Sequence, residues 1–542
     1  MCGCFSSEPD APSDAGDAGQ ECDADTQSCP LLGHLRVTLI DDEDGKGIDA
    51  IDITITGPDG RSSPTGSDGK VTFKGLHPGS YSAKHGSSCV SAASGSAAVT
   101  AGNTSDIELR VKHTHAVLTI KALEYGGDRH LVEIDTFGDF APPEWLLGRA
   151  DQRPIAYTRK KAVSFEATFK VTPPCRTEAV AVRAKATFGP ATLEWEGTVS
   201  VNPGDTEAKI TLASKQPLAD EIGCFDANDI VWEMNPVARG WVAAGSSRNT
   251  LYVTLGDPTS TNHWTLLDVS CRAAAGKKTE DDFVRASFLP FGSKVGNGNG
   301  FKRLRDGKEL TYYKFGGGTA SKDVYSCADL LSRADSTGRC GAWANFLVAM
   351  HRVHGVTSSA VFGVVPISAP DLLVRNCDFV GAGSLPAPFT HEGKVDCLKR
   401  NGIFGQGKNN PQFLFGDHAL VKHGTGIYDP SYGSGPKADL RSWEDGGIAG
   451  VGSGQVGLTF DGDPHAISKE CSPGFVDHVL GPTDTLDKLA LRFGAPGGKA
   501  LYDHAYNAPL RALRTKPGDV KPGDKVVIPR QIASKLAILR IK

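Results

Sequence analysis

Glycine and proline punctuate the whole chain. There are 64 glycines and 32 prolines in 542 residues, and they break it into short runs rich in Val, Thr and Ile. Glycine weakens helices through backbone entropy and proline through its missing N–H, and both supply the φ angles of tight turns. This punctuation predicts a β-rich, turn-rich fold, and the length predicts several domains. No stretch of about eighteen apolar residues occurs, so no membrane-spanning helix is expected.

Charge is unevenly spread around a net of −5. Residues 1–33 hold seven acids and no Lys or Arg, whereas residues 484–542 hold twelve Lys/Arg against five Asp. A basic end favours anionic polymers such as wall glycans, membrane surfaces or nucleic acid. Nothing else points to nucleic acid, and none is expected as a partner. The tail has too little apolar surface to bury, so residues 1–33 are expected to form a disordered acidic tether. It has no positive region leading into an apolar stretch, so no ordinary signal peptide is expected. Thirteen cysteines suit an oxidising compartment. Cys22 and Cys29 flank one short tail segment as a candidate pair, and no C-x-x-C spacing suggests a zinc ribbon.

Residues 34–112 predict a small β-sandwich. His34–Ile40 and Ile51–Ile55 alternate toward Asp/Gly turns. Residues 113–215 predict a second β-sandwich module, with strands at Val117–Ile120, Val163–Val171, Ala179–Phe188 and Ala208–Leu212. In it, Pro142-Pro143-Glu144-Trp145 reads as a loop with an exposed aromatic. Residues 216–465 are assigned to a thiol domain, with helices expected over 265–275 and 319–331. Residues 476–530 form a last unit in which Thr483–Gly494 reads as a capped helix with Leu486, Leu489, Ala490 and Phe493 on one face.

Cys340, His418 and Asp429 follow one another in the chain order of a thiol acyl-transfer site. Asp335, Ser336 and Thr337 can each cap a helix, and Trp343, Phe346, Leu347, Met350 and Val353 recur at helical spacing behind them. That spacing puts Cys340 in a first helical turn, where exposed N–H groups and the helix dipole favour a thiolate. His418–Val421 and Ile427–Asp429 read as strands around the turn signal Lys422-His423-Gly424-Thr425-Gly426. A turn centred between His423 and Gly424 sets His418 directly opposite Asp429, with Cβ atoms about 4.5–5.5 Å apart. The acid would then orient the imidazole and leave its other nitrogen for the thiol. The Cys340 backbone N–H is one oxyanion donor, and Trp343 and Gln412 are the side-chain candidates. Cys327 is a rival nucleophile expected to be buried. His351 and His354 have a spacing that could ligate a metal, but no partner motif accompanies them. They are expected to be solvated, with no metal and no cofactor.

Three resemblances follow from these residues. Gly338-Arg339-Cys340-Gly341-Ala342-Trp343-Ala344 and its helix resemble the nucleophile helix of the transglutaminase-like superfamily, which has a papain-like fold. Asp417-His418-Ala419-Leu420-Val421 and Tyr428-Asp429-Pro430-Ser431-Tyr432-Gly433 resemble its His and Asp strands. The resemblance implies that Cys340 is the nucleophile, His418 the general base and Asp429 the orienting acid. Members include proteases, amidases, cross-linking enzymes, deamidases and inactive relatives. The chain departs from the pattern in a long stretch between Cys and His elements, which contains Cys377, Cys397 and an Asn/Gly-rich run from Asn401 to Asn410.

Ser67–Tyr81 resembles the signature of carboxypeptidase-regulatory-like or pilin-type prealbumin-like domains, which implies a stalk or spacer. Thr483–Gly494, Asn507–Arg511 and Lys521-Pro522-Gly523-Asp524-Lys525-Val526-Val527-Ile528-Pro529 resemble a LysM module, a β-α-α-β unit. It implies binding to peptidoglycan or another N-acetylglucosamine polymer, or docking in phage-tail-like or type VI secretion machinery. Cys2 and Cys4 ahead of a flexible acidic tether resemble the start of a mature bacterial lipoprotein, which implies a lipid anchor and a leader upstream of Met1.

The expected fold class is a multidomain, β-rich α+β chain of two β-sandwiches, a papain-like domain and a LysM-like module. The expected function is thiol acyl transfer or hydrolysis on a peptide or protein amide, in a secreted or cell-envelope bacterial protein. The alternatives are a non-catalytic wall-binding or secretion-machinery protein, and a delivered deamidase or protease toxin.

Overall fold

The computed structural model describes residues 31–43, 45–87, 90–112, 114–174, 176–236, 240–293, 300–312, 326–367, 371–374, 395–396, 405–407, 414–453, 470–472, 475–530 and 532–542. The tether through residue 30, with Cys2, Cys4, Cys22 and Cys29, lies outside them, as does Gln412.

The first module packs a three-stranded sheet (Lys70–Leu76, Gly33–Asp41, Thr104–Val111) on a four-stranded one (Arg61–Pro64, Asp52–Thr56, Gly79–His85, Ser94–Val99). Strand alternation buries Leu35, Val37 and Leu39 from one sheet against Ile53, Ile55 and Ala83 from the other. The turn Gly57-Pro58-Asp59-Gly60 meets the end of the Ser67–Tyr81 motif at Asp59, whose carboxylate accepts from Tyr81 Oη at 2.8 Å and from the His77 N–H at 2.6 Å.

The second sandwich is larger than the sequence reading placed it. Its five-stranded sheet contains Gly223–Pro236 and Val242–Thr254, in the order Ile155–Thr158, Val242–Thr254, Gly223–Pro236, Glu178–Phe188, Ala191–Val201. The expected boundary after residue 215 is therefore corrected to about residue 254: Glu178–Phe188 pairs antiparallel with Gly223–Pro236, and its Val182 lies opposite Met234. Phe165, Trp195 and Trp232 meet in the core with ring centroids 5.1 and 5.5 Å apart. Trp145 is also corrected: it is buried in the short strand Trp145–Leu146, not exposed on a loop.

Beyond residue 254 the chain becomes mixed. Helices α1 (Trp264–Ala273), α2 (Glu280–Ser293), α3 (Cys327–Ser332) and α4 (Cys340–Arg352) gather beside a five-stranded sheet. Its order is Ser434–Lys437, Gly426–Asp429, His418–His423, Ser359–Pro366, Leu539–Ile541. Helix α5 (Leu440–Gly447) follows the sheet's edge strand. α4 is nearly enclosed: Trp343, Phe346, Leu347 and Met350 are all fully buried. Of the helix expected over 319–331, the described part is α3.

The last unit pairs Phe475–Val479 antiparallel with Lys525–Pro529, with α6 (Leu486–Phe493), α7 (Gly498–Asp503) and α8 (Ala508–Leu513) between them. Thr485 caps α6 by accepting from the Lys488 N–H at 3.1 Å, and Gly494 ends it at φ +68°. The chain then returns to the thiol domain. Leu539–Ile541 forms the edge of its sheet beside Ser359–Pro366, and the Lys542 ammonium reaches Asp417 at 2.6 Å. One apolar core runs from α1 through to Leu539.

Candidate active site

Cys340 is the first residue of α4, but not by the expected caps. The N-cap is Arg339, which makes no side-chain cap bond. Asp335 is held by Arg333 at 3.1 Å, Ser336 sits at φ +55°, and Thr337–Gly338 bridges to Glu309–Tyr312. The N-cap therefore lies two residues past the last candidate, Thr337. The thiol still occupies the turn where backbone N–H groups point outward.

The hairpin carrying His418 is tighter than expected. Val421 faces Tyr428, Lys422 faces Ile427 and His423 faces Gly426, around a two-residue loop of Gly424 and Thr425. The register is shifted by two residues, so His418 and Asp429 are diagonal neighbours rather than directly opposed. A two-residue shift preserves the face, because side chains alternate with period two. Diagonal partners with long side chains still reach: His418 Nε2 lies 3.1 Å from Asp429 Oδ2, with both side chains buried. The second carboxylate oxygen accepts from the backbone N–H groups of Ser431 at 3.1 Å and Tyr432 at 3.3 Å. Trp443 of α5 stacks on the imidazole at 5.8 Å and 12°, and Phe415 and Tyr432 close its other sides.

His418 Nδ1 has no hydrogen-bond partner among the described residues. It is the nitrogen left for Cys340, whose thiol sits close enough that the two groups shift one another. Burial alone pushes the thiol pKa up. The neighbouring His418 and its charge, the Ala419 backbone N–H and the Arg339 guanidinium outweigh that, and the net shift is down. For His418, burial favours the neutral ring, but Asp429 and the thiol reverse it and the net shift is up. The two directions, down for the thiol and up for the imidazole, are those that favour proton transfer from Cys340 to His418.

The other candidates divide. Trp343 is fully buried among Phe291, Phe301 and Phe346, and its Nε1 has no partner among the described residues. Cys327 is buried, and burial pushes its thiol up, away from a nucleophile's range. His351 and His354 are not solvated, contrary to expectation. Both are fully buried, and serines hold them: Ser359 and Ser287 for His351, Ser270 for His354. Burial pushes each down to about 3. Among the described residues no group of three or more His, Cys, Asp or Glu is placed to hold a metal.

Sequence reasoning missed the Ala419 backbone, which favours the thiolate, Trp443 as the ring stacked on His418, and Gln406. Trp443 had a signal, since it follows the Asp439 N-cap on a short amphipathic helix. Ala419 and Gln406 act through backbone position and burial, which leave no mark in residue type.

No protein-family model matches this chain. No curated protein matches it. Solved structures that resemble part of it include the minor pilin GBS52 of Streptococcus agalactiae, at 16% identity over 16% of this chain and 45% of that one, with a TM-score of 0.14. The major pilin subunit BcpA of Bacillus cereus matches at 9% identity over 41% of this chain and 70% of that one, with a TM-score of 0.18. A DUF3823 family protein from Parabacteroides merdae matches at 9% identity over 42% of this chain and 100% of that one, with a TM-score of 0.16. This chain spans less than half the length of the first. Likeness at these scores carries no argument about the site.

Proposed function

We propose that the protein is a thiol acyl-transfer enzyme, a cysteine peptidase, amidase or transglutaminase-like acyltransferase, acting on an amide of a peptide or protein. The observation that supports this reading is the buried His418–Asp429 pair, 3.1 Å apart, on a strand packed against α4, whose first residue is Cys340, with His418 Nδ1 left unpartnered among the described residues. The Cys340 thiolate attacks the amide carbonyl and forms a C–S bond, and the Cys340 backbone N–H helps hold the oxyanion. His418 gives its proton to the leaving nitrogen as the C–N bond breaks. Water then attacks the thioester, His418 takes its proton, and the acid and the thiol are released; a second amine in place of water gives transfer. Asp429 keeps the ring oriented throughout.

The C-terminal strand–helix–helix–strand unit is read as LysM-like, holding the enzyme near peptidoglycan or another N-acetylglucosamine polymer in the bacterial envelope, with the two sandwiches as spacer. A second reading, a non-catalytic structural protein of the cell surface, draws on the thiol being only 5% exposed and on the two β-sandwiches ahead of it.

Incubating the full chain with a fluorescent primary amine and casein separates these. Cys340-dependent amine incorporation indicates a transferase, and Cys340-dependent cleavage alone indicates a peptidase. Neither activity, together with an inert thiol, indicates the structural role.

A further inference from the structure

We propose that Gln406 is the positioning residue for the acid of this site. The proposal rests on reading Cys340, His418 and Asp429 as a catalytic set. Gln406 is fully buried. Its amide spends both hydrogens on backbone carbonyls, those of Pro430 at 2.7 Å and Phe291 at 2.8 Å. Its backbone N–H donates to the Ser431 carbonyl at 3.1 Å, and its own carbonyl accepts from the Tyr312 N–H at 2.8 Å. One residue thus grips Pro430 and Ser431 and fastens them to the end of α2 and to Glu309–Tyr312.

Pro430 and Ser431 directly follow Asp429, and the N–H groups of Ser431 and Tyr432 hold Asp429 Oδ1. The backbone that orients the carboxylate is therefore itself oriented by Gln406. If that backbone shifts, Oδ2 leaves His418 or Oδ1 loses its donors, and the imidazolium loses its counter-charge. Glutamine chemistry is required: methionine matches the length without a donor, and ionised glutamate would set a carboxylate against two carbonyl oxygens. With both amide hydrogens spent, Gln406 does not serve as an oxyanion donor.

The test is the rate of iodoacetamide alkylation of Cys340 in the full chain between pH 5 and 9, mapped by peptide mass spectrometry. Wild type is compared with Gln406→Met, Gln406→Glu and a destabilised control far from the site, Val199→Ala in the second sandwich. Gln406→Met should move the profile toward an ordinary thiol: each unit by which the thiol pKa rises moves the midpoint up one pH unit and slows alkylation about tenfold at pH values below the wild-type midpoint. Gln406→Glu should move it the same way, and serves if the methionine variant does not fold. Val199→Ala should leave the profile in place, which separates positioning from general loss of stability. Folded Gln406 variants with a wild-type profile would overturn the inference alone. An ordinary-thiol profile in wild type would overturn the reading of the site, and this inference with it.

Discussion

Acidification should unfold the thiol domain through the back of its nucleophile helix. His351 lies in the last turn of α4 and His354 just past its C-cap Val353, both fully buried. His354 Nδ1 accepts the Leu255 N–H at 3.1 Å and its Nε2 faces Ser270 at 2.9 Å, with the Cys271 thiol 3.8 Å away. His351 lies between Ser359 at 2.7 Å and Ser287 at 3.2 Å, and Ser359 leads on to His423 at 3.0 Å. No acid partners either ring in these contacts, and burial holds each near 3. An unfolded histidine titrates near 6.5. The folded value lies below the unfolded one, so below about pH 6.5 the unfolded chain binds protons that the native chain refuses. The stability contribution is complete above that pH and erodes from there down toward about pH 3. Between about pH 8 and pH 5 the loss is about 2 kcal/mol per histidine, or about 4 kcal/mol for the pair. Hydrogen exchange of the α4 peptides at the two pH values, corrected for intrinsic rates, measures it. The double variant His351→Gln/His354→Gln carries every other titrating group unchanged, so the difference between proteins isolates the pair. Equal losses in both would refute the reasoning.

Three other perturbations follow from the same contacts. Asp429→Asn removes the charge 3.1 Å from His418; a charge-assisted bond is worth about 1.5–3 kcal/mol, so the Cys340 thiolate should form roughly one to two pH units higher, measured by thiolate absorbance against pH. Trp443→Ala should cost about 3–5 kcal/mol and free the imidazole to rotate, whereas Trp443→Phe should keep most of the stack, read by thermal unfolding and Cys340 alkylation together. Leu539→Ala should cost about 2–4 kcal/mol in the thiol domain, although it lies beyond the C-terminal unit, because it sits in the edge strand of the thiol sheet. Deleting 476–542 should unfold that domain for the same reason, so glycan binding is better tested by point substitutions.

What could be read from residue type and what could not divide along physical lines. The first sandwich was legible because its strands alternate between glycine-rich turns, as in Gly33–Asp41 and Lys70–Leu76. The extent of the second is not legible, because the membership of Gly223–Pro236 depends on pairing with Glu178–Phe188, a contact that no local pattern records. Cys340 at the head of a helix was legible from the apolar spacing of α4. The cap was not, because Asp335 and Thr337 were already committed to Arg333 and to the Thr337–Gly338 bridge. The two glycines flanking Thr425 left the hairpin register open by two residues, while the period of two kept His418 and Asp429 on one face. His351 and His354 looked solvated because most of the groups that satisfy them, Ser287, Ser270 and Leu255, lie 64 to 99 residues away. The terminal strand Leu539–Ile541 was invisible for the same reason: three residues form a strand only against the edge that waits for them.

The central claim is an activated thiol–imidazole pair, and iodoacetamide labelling of the full-length protein across pH 4–9, mapped by peptide, tests it most directly. Cys340 should alkylate well below the pH at which Cys224, Cys271 and Cys327 react, and His418→Ala should abolish that advantage. A Cys340 no more reactive than Cys327 in the wild-type protein, or equally reactive without His418, would contradict the account and leave a scaffold in place of an enzyme.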